Sequence, residues 1–229
     1  MKKQKWMIGS ALLLAVLMVA GGTMAWFTAT ADPVVNEFKA GTVGIKVHEQ
    51  FDKKAAQNVN PGDCYEKVIY IENTGTKKAY VRIKADAVFT AVNGDILSNG
   101  VLNYGIAGPG VQIWPPKLLP GWTLKGDYFY YDRIVHPNHF TKPLLKCNRV
   151  CFDGPKMGNE YQGASLDITI NADAIQATHG AAKAEWGVNY PTIKPYSKGE
   201  EPVEEMLTEA DVLAIVAAEN AEFEALNLE

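Results

Sequence analysis

The sequence predicts an all-β fold, a β-sandwich or jelly roll, placed between an export signal and an acidic C-terminal helix. Three observations predict it. Segments that alternate apolar and polar residues recur at spacings of roughly 10–20 residues. Turn signals separate them, as in Asn60-Pro61-Gly62-Asp63, Asn73-Thr74-Gly75-Thr76 and Tyr161-Gln162-Gly163. No helical periodicity stands between the strands, which excludes a βαβ architecture.

Composition agrees. The 229 residues are 47% hydrophobic and 21% charged, so one domain with a packed core remains after a signal is removed. Ten tyrosines and twenty glycines suit strands joined by turns. The net charge of −4 is unevenly spread: residues 197–229 hold ten acids against the single Lys198. The body is near neutral and carries no basic stripe, so nucleic acid is not an expected partner.

Residues 1–25 read as a secretory signal. Lys2, Lys3 and Lys5 form the basic start, residues 7–20 the apolar stretch, and Thr23-Met24-Ala25 the small-residue end. The apolar stretch is short for a membrane span of about 20 residues. Cleavage between Ala25 and Trp26 would leave Trp26 as the mature terminus; cleavage after Ala29 or Ala31 competes. An uncleaved anchor is the other reading, since residues 6–28 are long enough to span.

Residues 26–35 belong to neither signal nor domain. They are apolar and β-prone, begin with two aromatics, and contain Pro33, which rules out a central strand. A soluble secreted domain would not leave Trp26 and Phe27 bare at its own terminus. The segment is expected to pair with another copy of the chain, so the expected function is assembly rather than catalysis.

The strands then follow in order. Residues 38–47 form the first, with Val43, Ile45 and Val47 on one face. Residues 64–72 place Tyr65, Lys67, Ile69 and Ile71 on one face and Glu66, Val68 and Tyr70 on the other. Residues 80–89 turn Val81, Ile83, Ala85, Ala87 and Phe89 inward, and these two strands are expected to form a hairpin. Residues 92–126 are loop-rich. An aromatic strand follows over 127–132, one or two short strands over 140–152, and the cleanest alternation over 166–174.

The tail opens with Thr208-Glu209-Ala210-Asp211, which resembles a capping box with Asp in place of Glu. Val212, Leu213, Val216, Phe223 and Leu226 then describe an amphipathic helix of about four turns. It reads as a solvated helix lightly docked on the body, with contact to a neighbour as the alternative.

Cys64, Cys147 and Cys151 allow one internal bridge and one spare thiol. A straight strand would hold the Cα atoms of Cys147 and Cys151 about 13 Å apart, beyond the reach of about 7 Å that a disulfide allows. A Cys147–Cys151 bridge therefore requires residues 148–150 to be a turn. Cys64–Cys147 and Cys64–Cys151 are equally open, as are free thiols.

Chemistry-bearing motifs are sparse. No HExxH or G-x-S-x-G is present. His136 and His139 are weak metal candidates: their i, i+3 spacing is interrupted by Pro137, which argues against a helix aiming both rings at one ion. Asp132 and Glu160 could join them, though nothing in the sequence places them there. No catalytic residue and no cofactor is expected.

Three places together resemble the TasA/camelysin proteins of Gram-positive bacteria. They are Gly21-Gly22-Thr23-Met24-Ala25-Trp26-Phe27 with Phe38-Lys39-Ala40-Gly41-Thr42-Val43; Asn60-Pro61-Gly62-Asp63 leading to Ile71-Glu72-Asn73-Thr74-Gly75; and Tyr161-Gln162-Gly163 with Ala174-Ile175-Gln176-Ala177. They bracket about residues 1–180. The acidic tail and the cysteines depart from the pattern. The resemblance implies export through a SipW-type signal peptidase and a jelly roll that polymerises into extracellular biofilm-matrix fibres, with an accessory matrix protein as a further partner. It also implies a donor strand at the mature N-terminus, carried onto Trp26, Phe27, Thr28, Ala29, Val34 and Val35. Family members are often labelled metallopeptidases, which keeps a secreted peptidase as the alternative; a monomeric surface adhesin is the third reading. The expected boundaries are a signal over 1–25, a donor strand or arm over 26–37, a jelly-roll domain over 38–186, a linker over 187–203 and an acidic helix over 204–229.

Overall fold

Alternating strands become two facing sheets in the computed structural model, which describes residues 41–51, 60–104, 117–178, 180–188 and 204–226. The fold is mostly β with a C-terminal helix. The first sheet is antiparallel and holds β1 (Ile45–Phe51), β2 (Cys64–Asn73), β9 (Arg149–Phe152) and β5 (Leu102–Tyr104), in that order. The second is built on β3 (Ala79–Thr90). Along one edge of β3 lies β10 (Ser165–Gln176), paired antiparallel over all 12 of its residues. Along the other lie β8 (Ile134–Val135), β7 (Tyr128–Tyr131) and β4 (Ile96–Leu97) in succession. β6 (Trp122–Lys125) extends β7, and β11 (Glu204–Glu205) runs parallel to β8.

The faces follow the alternation. Ile69 and Ile71 of β2 and Val150 and Phe152 of β9 meet Val81, Ile83 and Phe89 of β3 and Phe129 and Tyr131 of β7 between the sheets. Each such side chain contributes roughly 1.5–3 kcal/mol when removed from water. The opposite face of β2 places Val68 and Tyr70 under helix α2 (Glu209–Leu226), where they pack with Phe140, Val212 and Val216. A short helix α1 (Ala181–Trp186) covers the outer face of β3, with the Arg82 guanidinium 4.0 Å from the Tyr128 ring and 4.5 Å from the Trp186 ring.

Two strand expectations are corrected. The first strand starts at Ile45 and reaches Phe51, later than the 38–47 expected. Before it, the carbonyls of Thr42 and Gly44 accept hydrogen bonds from the backbone of Thr74, Gly75 and Thr76. Only glycine fits at position 75, because a Cβ there would stand 2.5 Å from the Thr42 carbonyl oxygen. Nor do β2 and β3 form a hairpin; they lie in different sheets. The Asn73 amide donates to the carbonyls of Lys77 and Val135, and its oxygen accepts from the Gly75 N–H. These bonds hold the connection as a corner that passes between sheets.

The Cys147–Cys151 pairing is also corrected. Residues 149–152 are strand β9, and the turn falls one residue earlier, with Cys147 at φ 56° and Asn148 at φ 49°. The residue opposite Cys151 in the β2–β9 ladder is Cys64, and these two form the disulfide with Cα atoms 4.1 Å apart. Cys147 is a free thiol, fully buried.

The capping box is as expected. Thr208 Oγ1 accepts from the Asp211 N–H at 3.3 Å, and the Asp211 carboxylate accepts from the Thr208 N–H at 2.9 Å. The helix is more than lightly docked. Glu219 accepts from the Cys147 N–H at 2.7 Å, Asn148 donates to the Val216 carbonyl at 3.1 Å, and Arg149 lies 4.1 Å from the Phe223 ring.

Candidate functional site

Among the described residues, the two sheets leave one side uncovered. β1 pairs only with β2, and β10 only with β3; among the described residues neither strand has a partner along its other edge. The two edges lie against each other and bound a cavity of about 640 Å³. The inner face of β10 carries Leu166, Ile168, Ile170, Ala172 and Ala174, of which the first three line the cavity, and the inner face of β1 carries Ile45 and Val47. All seven pack on the core yet stay partly exposed. An edge with free N–H and C=O groups over a half-covered apolar face is a template for an added strand.

Edges of this kind are guarded, and both devices are visible here. Asp167, Thr169, Asn171 and Asp173 line the solvent face of β10. Inside, two charges point between the sheets. Lys67 shares the inner face of β2 with Tyr65, Ile69 and Ile71, and only 1% of it is exposed. Its ammonium donates to Glu49 Oε1 at 2.5 Å and stands 4.5 Å from the Phe51 ring. Glu49 and Phe51 occupy the inner face of β1. These three residues form one wall of the cavity, and residues 163–170 form the other.

A second polar cluster holds the returning chain. The Tyr131 hydroxyl donates to Glu205, which also pairs with Arg133 at 2.8 Å and Lys142 at 3.4 Å. Burial pushes the Glu205 carboxyl up to about 7 in spite of these two cations. Its neighbour Glu204 is held below the usual carboxylate range by hydrogen bonds from Lys78 and His136.

The sequence-derived candidates fall as follows. The cleavage pair Ala25 and Trp26 and the donor residues Trp26, Phe27, Thr28, Ala29, Val34 and Val35 lie outside the described residues. His136 and His139 are neighbours, with ring centroids 6.1 Å apart. His136 Nε2 bonds Glu204 at 2.7 Å, and His139 Nδ1 donates to the Pro137 carbonyl at 2.8 Å. Neither Asp132 nor Glu160 completes a set of metal ligands with them. The group of three ligand atoms within 4.8 Å of one another, among the described residues, is Cys147, Glu219 and Glu222. The Lys146 ammonium bonds both of those carboxylates and offsets part of their charge. Burial, then the Glu222 charge, push the Cys147 thiol up and keep it protonated.

Sequence reasoning missed the Lys67–Glu49 pair. The signal was present, because alternation already placed Lys67 on the inner face with Ile69 and Ile71. Glu49 enters only through the β1–β2 register, which sets Phe51 opposite Lys67.

Residues 1–99 match the family model described as camelysin metallo-endopeptidase. Over those residues, less than half of the chain, the sequence is similar to that family. The match ends just beyond β4, so the matched stretch includes β1 to β3, while β10 and α2 lie outside it. No curated protein and no solved structure matches the chain. Among the described residues no helix is long and apolar enough to cross a membrane.

Proposed function

We propose that this chain, similar to camelysin over residues 1–99, is a secreted structural subunit that polymerises head to tail into extracellular biofilm-matrix fibres. Residues 26–35 of one copy add as a strand to the next. The edge of β10, unpaired among the described residues, carries the reading, because it runs beside the similarly unpaired edge of β1 over half-buried apolar residues. Strand addition satisfies backbone groups that are otherwise exposed and covers the apolar face at the same time. The donor and acceptor surfaces differ, so the contact is heterologous and need not close; repeated, it yields a filament. A SipW-type signal peptidase would release the donor by cutting between Ala25 and Trp26, and an accessory matrix protein is a further partner.

Deleting residues 26–35 tests this. The expected result is a folded, secreted monomer that forms no fibres. Fibres of normal yield from the deletion would sink the proposal.

The alternative is a secreted metallopeptidase, favoured by the family description alone. It would use His136 and His139 and is tested with zinc analysis of the pure chain.

A further inference from the structure

Three sulfurs share one spot on the outer face of the first sheet. Cys147 and Cys151 pack against one another with Cys64 beside them, so a free thiol lies against a disulfide. The backbone brings this about. In the β2–β9 ladder Cys64 stands opposite Cys151 and Glu66 opposite Arg149, and alternation sends all four to the face that α2 covers. The left-handed turn at Cys147 and Asn148 ends the extended run and sets the thiol on the same cluster.

The end of α2 closes over it. Phe223 and Leu226, both half-buried, pack on the sulfurs. The polar clasp sits earlier in the helix: Glu219 accepts from the Cys147 N–H at 2.7 Å, and Asn220 accepts from Arg149 at 3.1 Å and donates to Glu66 at 2.7 Å. The cover itself is the last turn before the helix ends at Leu226, and that turn holds no basic residue. Cations are the side chains that stabilise a helix C-terminus, and Glu222 and Glu224 stand there instead. Helix ends also open locally at far less cost than global unfolding. The cover is therefore the part of α2 built to lift first.

We propose that Cys147 is an internal nucleophile for the Cys64–Cys151 disulfide, and that the last turn of α2 is the lid that keeps them from reacting. Under the closed lid the thiol stays protonated, and a thiol does not attack a disulfide. With the lid lifted, Cys147 gives its proton to solvent and its thiolate attacks Cys151 Sγ, the sulfur it packs against. The Cys147–Cys151 bond forms, the Cys64–Cys151 bond breaks, and Cys64 leaves as a thiolate that solvent protonates. One thiol and one disulfide stand on each side, so no oxidant or reductant is needed. The closed ladder opposes the exchange, because it holds the Cα atoms of Cys64 and Cys151 4.1 Å apart and keeps residues 149–150 extended. Exchange swaps a bond that ties β2 to β9 for a local one within residues 147–151, and it leaves a thiol at Cys64.

The test compares three full chains: the parent, Phe223→Ala with Leu226→Ala, and the same pair carrying Cys147→Ser. Each is held without reductant in mildly alkaline buffer, trapped with N-ethylmaleimide in denaturant, and mapped by mass spectrometry without reduction. In the lid variant the fraction of chains labelled at Cys64 should rise about tenfold over the parent. A Cys147–Cys151 peptide pair should appear in equal measure, at a rate independent of protein concentration. With Cys147→Ser neither product should form. Circular dichroism checks the fold, and Leu226→Ala alone, at the helix end, is the milder variant should the pair unfold. A lid variant labelled only at Cys147, with its Cys64–Cys151 pair at the parent level, would overturn the proposal. So would labelled Cys64 that persists with Cys147→Ser, or a Cys64–Cys147 pair in place of the expected one.

Discussion

Cys64 and Cys151 face each other across β2 and β9, and their disulfide closes a sequence separation of 87 residues. Beside them the Cys147 thiol is shut in by Phe223 and Leu226 of α2. The bond ties β2, early in the sandwich, to β9, and the helix lies over the corner where they meet.

Reduction should therefore destabilise the sandwich. Cys151→Ser is expected to cost about 2–4 kcal/mol by chain-entropy arguments, measured by denaturant unfolding. Mass mapping of the oxidised protein should return a peptide pair containing Cys64 and Cys151, and an alkylated Cys147 only after unfolding.

Helix α2 guards Cys147. Glu219→Ala removes the acceptor of the Cys147 N–H and one of the two carboxylates on Lys146. Losing a buried acceptor of this kind costs roughly 1–3 kcal/mol. The rate at which iodoacetamide labels Cys147 in native buffer should rise about tenfold through local opening. An unchanged rate would mean that the helix does not control access.

Glu205 gives the stability a pH dependence of definite sign. Its carboxyl sits at about 7 in the folded protein against an ordinary 4.5. Between these values the folded state holds a proton that the unfolded state has released. This group's contribution is thus fully present below about 4.5 and is lost as pH rises through 7, on the order of 3 kcal/mol in all. Glu205→Gln should flatten the decline in melting temperature between pH 5 and 8. The same slope in the variant would contradict the assignment.

The peptidase alternative makes its own demand. If His136 and His139 held a catalytic metal, the pure chain would contain zinc and show proteolysis that a chelator abolishes and His136→Ala with His139→Ala removes. Each ring keeps one nitrogen outside the bonds to Glu204 and the Pro137 carbonyl, and a pure chain without zinc or chelator-sensitive proteolysis would remove this reading.

Much of this was legible in the sequence, for local reasons. The strict alternation over 166–174 is β10, because period 2 is what a half-buried strand writes. The capping box at Thr208 and Asp211 depends on four consecutive residues and was read correctly. Failures came where distant segments decide. Cys64 pairs with Cys151 because β9 folds back beside β2, and no spacing between cysteines records that. The expected β2–β3 hairpin failed because Asn73 spends its side chain on Lys77, Val135 and Gly75, turning a connection that resembles a hairpin loop into a corner between sheets. At the candidate site, the apolar face of β10 is visible in the sequence, but its edge, unpaired among the described residues, is not, since pairing is set by distant segments.

The measurement that bears most directly on assembly is negative-stain electron microscopy of the secreted protein, with mass spectrometry of its N-terminus on the same sample. Assembly by strand donation predicts filaments whose subunits begin at Trp26. A stable monomer with that same terminus, at concentrations where the groove should fill, would contradict it.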